Sequence, residues 1–177
     1  TLRLYGVGVV SLDMSSPPPS PNVRYNFLSY FFSSIVPNLR DINLSNKGFG
    51  SALLLNYSSN CPHLEKITWH NIDRRQSAIQ IDGSEMRNAT NLKHIYMDGS
   101  VFDVGDDERY QMSDLENDEH SDIFLFNEFS SKLLERVSIR NAKWYVFRDP
   151  TVIPQSALIK FVRKAPTSLR WFRSHLT

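Results

Sequence analysis

One cysteine, Cys61, stands in a chain of 177 residues, so no internal disulfide can staple the fold. Long apolar runs are missing too. Nothing approaches the roughly 18 consecutive apolar residues that a membrane-crossing helix needs, and no signal-peptide pattern is present. Metal-ligand spacings such as His-x-x-x-His or Cys-x-x-Cys are absent, as is a glycine-rich phosphate loop. An excess of one charge is also lacking, with 20 Lys and Arg against 19 Asp and Glu. These gaps point to a chain without metal, cofactor or membrane span. The single cysteine favours an intracellular setting, where lone thiols stay reduced.

What the chain does have is a recurring spacing. With Leu64 as position zero, apolar residues follow at plus three (Ile67) and plus five (Trp69), and Asn71 sits at plus seven. The same register reads Leu39, Ile42, Leu44, Asn46, then Leu92, Ile95, Met97, Gly99, then Leu134, Val137, Ile139, Asn141. A truncated copy, Leu2, Leu4, Gly6, opens the chain, and Phe49, Phe102, Trp144 and Val9 fall at plus ten. Alternation from plus three to plus five marks a short half-buried strand, and the Asn or Gly after it tolerates the left-handed turn that ends the strand. With 41% hydrophobic and 12% aromatic residues, the chain can bury one sizeable core.

This pattern resembles the leucine-rich repeat family, whose units of about 20–29 residues carry Leu-x-x-Leu-x-Leu before an Asn or Cys. The turn residue falls here at plus seven rather than the family's plus eight. The repeats therefore look irregular, nearer to ribonuclease-inhibitor-like and F-box-associated members, and the cysteine-rich caps of many secreted members are absent. The resemblance implies one right-handed α/β solenoid over residues 1–177, part of a longer array and monomeric. It would carry a concave parallel sheet and convex helices. It also implies a non-catalytic protein-binding module working through the concave sheet, as a substrate receptor for ubiquitin ligation in F-box-associated members. Ligand recognition of the receptor-ectodomain type is an alternative.

Between the strands, hydrophobic spacing places helices at Tyr25–Val36, Ser51–Ser59, Phe124–Leu133 and Gln155–Lys164. In the last of these, Leu158, Ile159, Phe161 and Val162 are expected to face inward. Residues 11–21, rich in proline and serine, read as a stiff loop, and Arg148–Pro154 reads as a turn. A sixth strand is expected near Ser168–Arg173. Residues 103–122 hold nine acidic side chains opposed by Arg109 alone, and this composition predicts a disordered loop. The same loop is expected to screen the basic remainder of the chain and compete with acidic ligands.

Residues at plus two, four and six point out of such a sheet. The candidate partner-binding set is Arg3, Tyr5, Asn43, Lys66, His70, His94, Tyr96, Asp98, Arg136, Arg140, Trp171 and Arg173. Arg, Trp and Tyr dominate binding hot spots, whereas a merely solvated face would favour Lys and Glu, so an acidic protein partner is the leading expectation. A catalytic reading of His70, His94 and Asp98 lacks a patterned nucleophile. Cations interleaved with rings also suit single-stranded RNA, but the balanced net charge of +1 disfavours nucleic acid. Cys61 occupies the place of Val36 and Ala89 in neighbouring units, which predicts a buried structural thiol.

Overall fold

A computed structural model describes residues 6–15, 31–46, 51–71, 79–80, 86–103, 126, 131–146, 149–152 and 155–174. The strands are β1 (Ser11–Asp13), β2 (Asp41–Asn43), β3 (Lys66–Thr68), β4 (Ile79–Gln80), β5 (His94–Tyr96), β6 (Val101–Asp103), β7 (Arg136–Ile139), β8 (Lys143–Val146), β9 (Asp149–Val152) and β10 (Trp171–Ser174). Helix α1 spans Ser51–Asn60 and α2 spans Gln155–Lys164, and residues 31–35 are also helical. The architecture is mixed α/β. Six strands form a parallel sheet in the order β1-β2-β3-β5-β7-β10, and a second sheet runs β4-β6-β8-β9.

The two sheets share one repeating unit. Strands β3, β5 and β7 are each followed by a strand of the second sheet, and β4, β6 and β8 are themselves parallel. Across the first sheet Leu12, Ile42, Ile67, Ile95, Val137 and Phe172 stand in one register line, so every plus-three residue pairs with its equivalents. Behind them lies the core: each zero, plus-three and plus-five residue of the four internal copies is no more than 1% exposed. Phe102 and Trp144, both at plus ten, pair across β6 and β8.

Backbone bonds show why the spacing recurs. The zero-position amide closes a turn onto the carbonyl three residues earlier, from Val9 to Gly6, Leu39 to Val36, Leu64 to Cys61, Leu92 to Ala89 and Leu169 to Pro166, at 2.9–3.1 Å. At the far end of the strand the plus-seven residues Asn46, Asn71, Gly99 and Asn141 all take positive φ, between 56° and 68°. Left-handed backbone is tolerated by Asn and Gly. At position 99 a Cβ would lie 2.7 Å from Asn71 Oδ1, so the Asn71 side chain would have to shift to admit one.

Several expectations need correction. The first strand among the described residues is Ser11–Asp13, so these three residues, expected in the 11–21 loop, are strand. Val9, Leu12 and Met14 carry the zero, plus-three and plus-five spacing, and the Val9 turn onto Gly6 sets their register. Within the anticipated Arg148–Pro154 turn, Asp149–Val152 forms β9, antiparallel to β8. As an edge strand it accommodates Pro150, which has no amide to donate. Phe126 has φ of 59°, so no continuous α-helix passes through it. Its ring packs edge-on against Phe102 and Phe161, at centroid distances of 6.0 and 5.6 Å. In α2 the inward residues are Ala157, Leu158 and Phe161, whereas Ile159 and Val162 are exposed. The acidic stretch beyond Asp103, the proline run beyond Ser15, and residues 25–30 lie outside the described residues, as do Phe49 and the first copy's Leu2 and Leu4.

Cys61 is fully buried, with Sγ 3.4 Å from the Val36 carbonyl oxygen and 3.8 Å from that of Ser33. Burial pushes its thiol pKa up to about 11, and burial raises the Tyr57 phenol as well. Both groups ionise earlier in the unfolded chain, which then binds fewer protons than the native one. Stability should therefore fall as pH rises from about 9 towards 11, the window between the unfolded and folded thiol pKa values. Urea midpoints at pH 8 and 10.5 would measure this loss, and Cys61→Ala should lessen it. An unchanged midpoint would show that the thiol is accessible to solvent.

Among the described residues no helix is long and apolar enough to cross a membrane.

Candidate functional site

The outer face of the six-stranded sheet carries the side chains that alternate with the core positions. In sheet order the plus-two row reads Ser11, Asp41, Lys66, His94, Arg136, Trp171, and the plus-four row reads Asp13, Asn43, Thr68, Tyr96, Ser138, Arg173. Strand register therefore gathers residues from six separate stretches onto one surface. Arg3 and Tyr5, assigned to this face from sequence, lie outside the described residues. In the described first strand Ser11 and Asp13 hold the plus-two and plus-four places.

The plus-six column extends the backbone ladder. The His70 amide donates to Ser45 Oγ at 3.0 Å, the Asp98 amide to His70 Nδ1 at 3.0 Å, and the Arg140 amide to Asp98 Oδ1 at 2.8 Å. Each side chain thus accepts the amide at the same height in the next repeat. His70 must leave Nδ1 unprotonated to accept, which puts its neutral-form proton on Nε2. Asp98 Oδ1 also accepts from the buried Ser138 hydroxyl at 2.6 Å, and its other oxygen lies 3.7 Å from the Arg140 guanidinium. The structure brings His70, Asp98 and Arg140 together, but as a cap on the sheet. His94 stands apart, 3.8 Å from Glu135 and 6.3 Å from the Tyr96 ring.

Charge is distributed unevenly across the rows. Asp41 is paired with Lys66 at 2.8 Å, and Asp13 accepts the Ser15 amide at 2.8 Å, which holds its carboxyl below the usual range. Asn43 folds back in the same way onto the Ser45 amide. Towards β10 the compensation stops. Among the described residues neither Arg136 nor Arg173 makes an ion pair. Between them Tyr96 and Trp171 lean across β7, with ring centroids 6.4 Å apart. Ser138 between them is small and buried, and Trp171 remains 40% exposed. This half of the face offers aromatic area flanked by two guanidiniums that are uncompensated among the described residues.

A fourth column, at plus one, went unread at the sequence level. Arg40, Glu65, Lys93, Glu135 and Arg170 alternate in sign from one repeat to the next. Glu65 sits between Arg40 at 3.5 Å and Lys93 at 3.0 Å, and the Lys93 hydrogen bond is the main influence holding its carboxyl below the ordinary range. The alternation was available in the sequence as soon as the zero positions were aligned. Among the described residues no cluster of three or more metal-ligating side chains occurs. Compared with family models, curated proteins and solved structures, the chain matches none of them.

Proposed function

We propose that the chain is an irregular leucine-rich-repeat solenoid that binds another protein, without catalysis, through the outer face of its six-stranded sheet. The observation that carries this reading is the Tyr96–Trp171 pair set between Arg136 and Arg173, neither of which makes an ion pair among the described residues. Exposed Trp, Tyr and Arg side chains on a rigid backbone lose little entropy on binding and bury much area, which is the chemistry of hot spots. Unpaired guanidiniums select carboxylates, while the Asp13 and Asp41 end of the face disfavours a second acidic region there. A folded protein surface with acidic and basic zones suits this polarity better than a uniformly anionic strand.

The test is quantitative capture by the immobilised chain. Partners retained by the native protein should be lost, with affinity reduced at least about tenfold, from the Tyr96→Ala, Trp171→Ala double variant. Trp171 is substantially exposed, so Trp171→Ala should leave the urea midpoint nearly unchanged and isolate binding from folding. Equal retention by native and double variant would overturn the reading. A capture set dominated by RNA, lost steeply as salt rises, would replace it with nucleic-acid binding.

A further inference from the structure

Around Arg136 the strand register builds a block of four outward side chains. In the plus-two row Arg136 stands directly beside Trp171, and in the plus-four row Ser138 stands between Tyr96 and Arg173, with neighbouring strands about 4.8 Å apart. These side chains project from the face of the sheet. A further repeat beside β10 would lengthen that face without covering it. The polar groups left over in the block are donors. Among the described residues the two guanidiniums make no ion pair, and neither the Tyr96 hydroxyl nor the Trp171 indole N–H has a hydrogen-bond partner. Guanidinium and indole offer no acceptor at all. The carboxylates nearby are engaged: Asp98 takes the Ser138 hydroxyl and lies by Arg140, and Glu135 lies 3.8 Å from His94. A ligand that fits must therefore bring the acceptors and the negative charge.

The surroundings of the block decide which anion. Lys66 and Arg140, also on this face, each lie beside a carboxylate, at 2.8 and 3.7 Å, and Asp13 and Asp41 occupy its far end. Uncompensated charge is thus confined to one place, which suits a single multiply charged group and not the continuous run of phosphates along a nucleic-acid strand. A carboxylate brings one charge, and one guanidinium satisfies it through a bidentate pair. A phosphate monoester carries about −1.5 to −2 charges near pH 7 and three acceptor oxygens, enough for two guanidiniums. Arg136 and Arg173 flank the line between the Tyr96 and Trp171 rings, whose centroids are 6.4 Å apart. That aromatic surface calls for an apolar, planar stem on the phosphate, which an aryl group supplies and the single methylene of phosphoserine does not.

We propose that this block binds a phosphotyrosine of the partner protein, with the phosphate shared by Arg136 and Arg173 and the phenyl ring laid on Tyr96 and Trp171. The site rests on the protein-binding reading above and names the group that the outer face recognises.

The probe is a blocked, fluorescent peptide Gly-Ser-phosphotyrosine-Ser-Gly, followed by anisotropy against the full chain. It should bind at least about tenfold more tightly than the same peptide with tyrosine, glutamate or phosphoserine at its centre. Arg136 is exposed, so Arg136→Gln should keep the native urea midpoint yet bind the phosphotyrosine peptide no better than the tyrosine one. Thr68→Ala, two strands away on the same face, should bind normally. Equal binding of the tyrosine or phosphoserine peptide would overturn the proposal, as would unimpaired binding by folded Arg136→Gln. Tighter binding of a single-stranded oligouridylate than of the peptide would also overturn it and assign the block to nucleic acid. Partners that the native chain still retains after tyrosine phosphatase treatment, but that the Tyr96→Ala, Trp171→Ala variant loses, would overturn the phosphate site and leave the protein-binding reading standing.

Discussion

Truncating Trp69 to alanine is expected to lower the unfolding free energy by about 3–5 kcal/mol, the usual loss for a fully buried aromatic. The indole is 0% exposed and is the largest of the fully buried side chains. It belongs to the core cluster that includes Leu44, Leu64, Ile67 and Met97. The backbone around it has no freedom to collapse into the void. The Trp69 amide donates to the Tyr96 carbonyl at 2.7 Å, and its carbonyl accepts the buried Ser100 hydroxyl at 2.7 Å. The indole Nε1 finds no acceptor among the described residues. Trp69→Phe should therefore cost less than Trp69→Ala, because it keeps most of the volume and removes a buried unpaired donor, itself a burden of about 1–3 kcal/mol. Urea denaturation of the three proteins measures both effects. A loss below about 1 kcal/mol for the alanine variant would mean that the plus-five residue of this repeat does not face the core.

The second large effect is expected at Asp98. Its Oδ1 takes the Arg140 amide and the Ser138 hydroxyl, and the Asp98 amide in turn donates to His70. Removing the carboxylate leaves a 2%-exposed hydroxyl and a sheet amide without their acceptor. Hydrogen bonds to a charged group contribute about 1.5–3 kcal/mol each, and partial access of water to this carboxylate reduces the total. Asp98→Ala should cost about 2–4 kcal/mol, whereas Asp98→Asn, which still offers a carbonyl oxygen, should cost about half as much or less. Hydrogen exchange at the Arg140 amide should accelerate in the alanine variant and much less in the asparagine one. Equal losses for the two variants would show that the charge and not the acceptor geometry holds this end of the sheet.

These two residues have different meanings for function. Trp69 fills the core beneath the sheet, while Asp98 ties neighbouring repeats together on its outer side. Arg140, His70 and Asp98 were all candidates for partner contact, and each is engaged in holding its neighbour. The arginines without an ion pair among the described residues, Arg136 and Arg173, lie one and two strands further along.

The repeat register was legible from the chain alone because its determinants are local. Leu64, Ile67 and Trp69 alternate at the spacing of a strand, and Asn71 follows where only a left-handed residue ends it, so a window of eight residues carries the information. Helix α2 was legible for the same reason, as a short segment with one apolar stripe. That Val9-Leu12-Met14 joins the sheet was not legible in the sequence, because it rests on a hydrogen bond from Val9 to Gly6 and on pairing with β2, thirty residues away. The β9 strand escaped notice because Pro150 argues against a strand everywhere except at an edge, and edges exist only once strands are ordered.

For the candidate site, sequence determined which residue types face outward: Tyr96, Arg136, Trp171 and Arg173 follow from position in the repeat. Tertiary structure decided which of them are available. Asp41 pairs with Lys66, Asp98 with Arg140, and Tyr96 meets Trp171 across an intervening strand, all through partners 25 to 75 residues distant in the chain. Periodicity is written in neighbouring residues and can be read there, whereas compensation of charge depends on distance in space, which only the stacking of the repeats sets.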